Sequence, residues 1–167
     1  MSSTSAEPFR RELATTVEPV VGKETEFEKP RGINRVEIRR GFVTVHVSTR
    51  SRIEVLRAMS QAGVSLDFLK LTQSGMSFVV PESLGTKVAT ELEGFQFELK
   101  EGRCIVLAFA ANMRDEEGLI ARVVSEVIGT GCEVDHLGDM HDRVLLVIKS
   151  DEVDGVAARL TDRLVEA

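Results

Sequence analysis

The chain has 167 residues, enough for one domain or two small ones, and 43% of them are hydrophobic. It contains no Trp or Tyr and eight Phe, and its formal net charge is −6. Single-strand nucleic-acid grooves stack bases on aromatic side chains, and duplex binders present a basic face, so this composition argues against both. We therefore expect no nucleic-acid partner.

The two cysteines, Cys104 and Cys132, lie within apolar runs of the sequence. This placement predicts small buried hydrophobic side chains in a reducing compartment, without a disulfide. No apolar run approaches the roughly 20 residues that cross a bilayer, and no signal-peptide core precedes the first strand. The sequence thus predicts a cytoplasmic protein with no membrane partner.

The first 32 residues differ in character from the rest of the chain. They are polar, they contain Pro8, Pro19 and Pro30, and they show no sustained hydrophobic period. We interpret residues 1–32 as a tail or linker that is poorly ordered.

Alternating polar and apolar residues predict the first two strands. Residues 35–39 form the first alternation and residues 43–47 form the second. Arg40 and Gly41 stand between them, which predicts a tight turn.

A helix and a hairpin follow. An apolar stripe predicts a helix over about residues 52–61, and Gly63 is a typical stop just after its end. Residues 64–71 and 76–80 are predicted strands, and a second amphipathic helix follows Pro81.

The remainder of the chain repeats this order. Residues 62–69 and 130–137 share a Gly, an aliphatic residue, an Asp and a Leu at the same spacing, and the offset of 68 residues (131 minus 63) continues downstream without a gap. On the early strands the offset is 61 (102 minus 41), so the second copy has seven extra residues around positions 111–118. We infer an internal duplication.

Each copy therefore contains strands and two helices in the same order, which predicts an α+β fold with antiparallel sheets covered by helices on one face. The order, together with the Gly-x-x-aliphatic-Asp phrase, resembles the ACT domain, the amino-acid-sensing module of biosynthetic enzymes. The closest resemblance is to the tandem ACT pair at the C-terminus of aspartate kinases, over about residues 32–164.

The resemblance implies two ferredoxin-like βαββαβ modules, one inserted into the other. Residues 43–100 would form the first module, and residues 33–41 together with residues 102–167 would form the second. Aspartate kinases also carry a catalytic domain with a glycine-rich phosphate loop, which has no counterpart in this sequence. The resemblance thus implies a regulatory protein that is not an enzyme.

Further properties follow from the same resemblance. They are an amino-acid effector such as lysine or threonine, no cofactor, assembly as a homodimer, and an aspartate-kinase catalytic chain or another biosynthetic enzyme as partner. The effector would bind where the first loop meets the first helix, because unpaired N–H groups there attract a carboxylate. The candidate residues are Thr49, Arg50, Ser51, Ser65, Leu66 and Asp67 in the first copy, and Asn112, Met113, Arg114, Asp115, Glu133, Val134 and Asp135 in the second.

Two alternatives remain open at this point. The first is a dimerisation or interaction scaffold that binds no ligand, which the short first loop at residues 48–51 motivates. The second is a metal-dependent hydrolase centred on Asp139 and His141, since carboxylate and imidazole groups can hold a divalent ion. Polar turn residues explain the same segment without a metal, and we therefore predict no metal ligands there.

Overall fold

Two long antiparallel strands run through both copies of the repeat in the computed structural model, which describes residues 32–111, 113 and 116–165. They are β1 (Ile33–Ser48) and β4 (Gln96–Ala110). The other elements are α1 (Arg52–Gln61), β2 (Asp67–Leu71), β3 (Gly75–Pro81), a 3-10 turn (Glu82–Leu84), α2 (Gly85–Glu91), α3 (Leu119–Ile128), β5 (Val134–Asp139), β6 (Arg143–Lys149) and α4 (Val153–Leu164). The six strands form one sheet in the order β2-β3-β1-β4-β6-β5. The predicted antiparallel sheet with helices is confirmed.

The tight turn predicted at Arg40 and Gly41 is wrong, because β1 continues through both residues. Its pairing with β4 shifts register between Arg40 and Phe42 and again between Phe42 and Thr44, which marks a bulge. Gly41 has φ +82° and supplies the left-handed backbone that such a bulge needs. A bulge bends a strand and increases its twist, so the long strands change direction here without ending.

The part of β1 after this bulge belongs to the first half of the molecule, residues 42–100. It pairs with β3, and it also pairs with the start of β4. Helices α1 and α2 pack on one face of these strands, and their shared core consists of Val43, Val45, Val47, Val55, Met59, Val64, Met76, Phe78, Val80, Val88 and Leu92.

The part of β1 before the bulge belongs to the second half, residues 33–40 together with 103–165. Val36 pairs with Ala108 and Ile38 with Val106, which joins the leading strand to the end of β4. Helices α3 and α4 cover one face of this half, around a core that includes Val106, Ala108, Leu119, Val123, Val127, Leu146, Ile148, Val156 and Leu160.

The faces of the two half-sheets that carry no helices pack against each other. Their contact forms an inter-sheet core of Val79, Ile105, Leu107, Phe109, Leu145 and Val147, with Phe42 and Phe68 packed against it. Arg35 and Arg143 lie against the ring of Phe109, with guanidinium carbons 4.0 and 4.5 Å from its centroid. The sheet is therefore folded over on itself along the line of the bulges.

One smaller difference from the sequence prediction concerns where β2 begins. β2 begins at Asp67 and not at residue 64, because Val64 turns into the first-half core immediately after α1. Apart from Gly32, the predicted tail at residues 1–32 lies outside the described residues. Within the described ranges no helix has the length and apolar character that crossing a membrane requires.

The close pairing of β1 and β3 leads to a prediction at Gly75. A Cβ atom at this position would collide with the backbone of Val47, whereas Gly138 in β5 has open space around its missing side chain. We expect Gly75→Ala to lower the free energy of unfolding by about 1–3 kcal/mol, as overpacking usually does. Urea denaturation measures the change.

Gly138→Ala is the matched control, and we expect it to be neutral or slightly stabilising because it restricts the unfolded chain without a clash. Equal stability of the two variants would contradict the tight approach of β3 to β1.

Candidate functional site

The loop between β1 and α1 holds the first three candidate residues and lies beside the β2–β3 turn. The backbone N–H of Thr49 donates to the Ser74 carbonyl at 3.0 Å. The Thr49 hydroxyl accepts a hydrogen bond from the Ser51 N–H, also at 3.0 Å. Thr49 and Arg50 line a shallow depression of about 490 Å³ whose other lining residues are Ser48, Gln73 and Ser74. The loop and the hairpin turn thus form one surface.

The other first-half candidates lie at the entry to β2. Ser65 and Asp67 are exposed, and Leu66 packs against the first-half core. None of these three residues lines the depression beside Thr49. The structure therefore brings only the loop candidates together.

A residue outside the predicted set, Arg52, fills the space between the start of α1 and the hairpin turn. Its guanidinium donates hydrogen bonds to the carbonyls of Gly75 and Gln73, both at 3.1 Å, and to the carbonyl of Thr72. A cationic side chain of the protein itself therefore occupies this position. The repeat could have indicated it, because the offset of 68 residues aligns Arg52 with an apolar residue, Ile120.

The corresponding place in the second half is an open cavity of about 710 Å³. It lies between the start of α3 and the β5–β6 turn. Its apolar lining includes Met113, Leu119, Ile120, Val124 and Met140, and its polar lining includes Glu116, Glu117, Asp139 and His141. Of the second-half loop candidates only Met113 is described, and it is buried; Asn112, Arg114 and Asp115 lie outside the described residues.

Asp135, the second-half counterpart of Asp67, forms a buried ion pair. Its carboxylate accepts a hydrogen bond from Arg103 Nε at 2.5 Å and lies 3.2 Å from Lys100 Nζ. The side chains of Asp135 and Arg103 are only 9% and 11% exposed. The hydrogen bond and charge of Asp135 raise the pKa of Lys100. Glu133 beside it is exposed, and Val134 packs against the second-half core.

Neither cysteine supplies a reactive group. Both thiols are free and buried, as the sequence predicts. Burial raises the pKa of Cys132 to about 12, with a hydrogen bond to Glu152 adding to the shift, so this thiol stays protonated at neutral pH. Among the described residues, no group of three or more His, Cys, Asp or Glu side chains could hold a metal ion.

The fold is similar to that of regulatory subunits and regulatory domains of aspartate kinases. The regulatory subunit of aspartate kinase from Thermus thermophilus, in its ligand-free form, is 13% identical with a TM-score of 0.72, and the match covers 79% of this chain and 97% of that one. The alpha and beta subunits of an aspartokinase give 15% identity, a TM-score of 0.72, and coverage of 78% and 97%.

A third similar structure is a longer protein. Escherichia coli aspartokinase III in complex with lysine and aspartate, in the T-state, is 16% identical with a TM-score of 0.63; the match covers 83% of this chain and 34% of that one. No protein-family model matches the sequence. A search of curated proteins finds no relative. The likeness is one of fold, and it confirms the resemblance predicted from the sequence.

The contacts of Asp135 lead to a prediction on stability. Removing one partner of a buried ion pair leaves the others uncompensated, which costs about 3–5 kcal/mol. We expect Asp135→Ala to lower the free energy of unfolding by about that amount in urea denaturation.

Asp67→Ala removes the aligned carboxylate of the first half and serves as the control. Asp67 is exposed and makes no ion pair with any residue in the described ranges, so we expect a change within about 0.5 kcal/mol. A small and equal effect of both substitutions would show that the ion pair of Asp135 does not stabilise the fold.

Proposed function

We propose that this chain is a non-catalytic regulatory protein that binds an amino acid and controls an aspartate-kinase-type or other amino-acid biosynthetic enzyme. The observation that carries the proposal is the match to almost the full length of the Thermus thermophilus regulatory subunit. A chain whose fold coincides with a regulatory subunit, and which lacks a phosphate-binding loop, is suited to sensing rather than to phosphoryl transfer.

In this proposal each half is an ACT-type module of the ferredoxin-like kind, one inserted into the other. The pairing of the strands supports it. The first half has the order β2-β3-β1-β4, and the second half has the corresponding order β5-β6-β4-β1. The two long strands exchange roles between the halves, so each half completes its sheet with a strand that continues into the other.

The second-half cavity is the effector site that the contacts favour. At about 710 Å³ it lies in the size range of ligand pockets and has an apolar lining, whereas the first-half depression of about 490 Å³ is shallow and Arg52 fills the space between α1 and the hairpin turn. Its apolar side chains suit an aliphatic stem, and the carboxylates of Glu117 and Asp139 suit a cationic end. The N–H groups at the start of α3 can receive the effector's carboxylate. This lining favours lysine over threonine.

The proposed assembly is a homodimer, with an aspartate-kinase catalytic chain as the further partner. Within the described part of the chain the sheet ends in β2 and β5, and unpaired strand edges are templates for pairing with another chain. Leu71 on β2 is 59% exposed and Leu137 on β5 is 38% exposed, which provides apolar contacts along both edges. The fold likeness to the alpha and beta subunits of an aspartokinase supports the choice of catalytic partner.

The effector site is tested by titrating the chain with lysine and with threonine. Ligand at 100 times its dissociation constant stabilises a protein by about 2.7 kcal/mol, so we expect lysine to raise the unfolding temperature more than threonine does. Ile120→Arg gives the second half the residue type that Arg52 supplies in the first half. We expect this substitution to fill the cavity and to abolish the effect of lysine in the same titration.

Ile128→Arg is the matched control, because Ile128 lies at the far end of the same helix and is 60% exposed. This variant should respond to lysine as the unaltered chain does. If no amino acid stabilises the chain at millimolar concentration, the sensing role is wrong and the ligand-free scaffold replaces it.

A further inference from the structure

A second cavity, of about 190 Å³, lies between the two half-sheets and belongs to neither loop site. Residues of the first half form most of its wall, and β5 of the second half closes it. The lining residues are Thr44, Val45, His46, Ser77, Glu98, Lys100, Asp135 and His136. Any molecule held there would contact both halves at once.

Two polar atoms of residues in this wall have no hydrogen-bond partner among the described residues. They are the Thr44 hydroxyl oxygen and the His136 Nε2 nitrogen, and their residues are only 7% and 8% exposed. A buried polar group without a partner costs about 1–3 kcal/mol, and native structures pair nearly all such groups with protein, water or a ligand. Both groups would gain a partner if a polar molecule lay in the cavity.

The protonation state of His136 determines whether its imidazole can accept a hydrogen bond in the cavity. Burial lowers its pKa, and the charge of Lys70 lowers it further, while the Phe68 carbonyl and the charge of Asp135 oppose the shift. The imidazole is therefore neutral at pH 7, so one of its ring nitrogens can accept a hydrogen bond. Thr44 can donate through its hydroxyl.

The cavity wall carries both positively and negatively charged side chains. Lys100 uses one of its three N–H donors on Asp135, which leaves donors for an anionic group. Asp135 itself is engaged by Lys100 and Arg103. Glu98 makes no ion pair with any residue in the described part of the chain, so its carboxylate can accept from a cationic group. The cavity wall thus contains hydrogen-bond donors, from Lys100 and Thr44, and acceptors, from Glu98 and His136.

We propose that this cavity binds a small zwitterion of the size of glycine, alanine or serine, with its carboxylate bonded to Lys100 and Thr44 and its ammonium group bonded to Glu98 and His136. The volume limits the size, since about 190 Å³ equals the space of roughly six water molecules at about 30 Å³ each. The proposal does not depend on the regulatory role, because it concerns a different cavity from the loop site.

The test is a calorimetric and thermal titration of the full chain with glycine, alanine and serine at up to tens of millimolar. At least one of the three is expected to bind and to raise the unfolding temperature. Acetate and methylammonium, which each carry only one of the two charges, are expected to give no shift. The absence of a shift with all three amino acids, or an equal shift with acetate, would overturn the proposal.

Two substitutions locate the binding. Glu98→Gln alters an exposed side chain and is expected to weaken binding about tenfold or more, the effect of one charge-assisted hydrogen bond. Thr44→Val removes the hydroxyl; it is expected to weaken binding while raising the unfolding temperature of the ligand-free chain, because a buried unpaired oxygen is lost.

Ile120→Arg is the control that separates this site from the proposed effector site. This variant should retain the response to the small amino acids. Binding that survives Glu98→Gln and Thr44→Val but disappears in Ile120→Arg would place the ligand in the loop cavity, which would overturn this inference and leave the regulatory proposal intact.

Discussion

The contact between the two helix-free sheet faces is the constraint on which the remaining structure depends. The inter-sheet core joins Val79 of the first half to the apolar residues of β4 and β6, and the buried pair of Asp135 with Arg103 links β5 to β4, with β6 between them in the sheet. Because the sheet is folded over, His136 of β5 comes near Phe68 and Lys70 of β2, although β2 and β5 are opposite edges of the sheet. Without this folding there would be neither an inter-sheet cavity nor two separate helix-covered cores.

The two halves have frameworks of the same kind with different chemistry in each. The first helix of each half begins near Arg52 in one case and near Ile120 in the other. The Arg52 side chain fills the space between α1 and the β2–β3 turn, whereas the space between α3 and the β5–β6 turn is an open cavity. The aligned carboxylates differ in the same way, since Asp67 is exposed and Asp135 is buried in an ion pair.

Much of the fold could be predicted from the sequence, because hydrophobic periods and the repeat are local signals. Such signals could not show that Arg40 and Gly41 form a bulge and not a turn. A glycine with positive φ suits a hairpin turn and a bulge equally, and only the pairing with β4 decides between them. The same holds for the site. The partners of Asp135 lie 32 and 35 residues away, and the unpaired atoms of Thr44 and His136 share a cavity only because the sheet folds over. Spacing along the chain does not contain that information.

The packing of the two sheet faces is tested most directly by methyl NMR of the chain with labelled Val, Leu and Ile. The account predicts nuclear Overhauser effects between the methyl groups of Val79 and those of at least one of Ile105, Leu107, Leu145 and Val147. A sample mixed from differently labelled chains separates these contacts from contacts between two copies. If Val79 shows effects only to residues of its own half, the two sheets do not pack face to face and the account is contradicted.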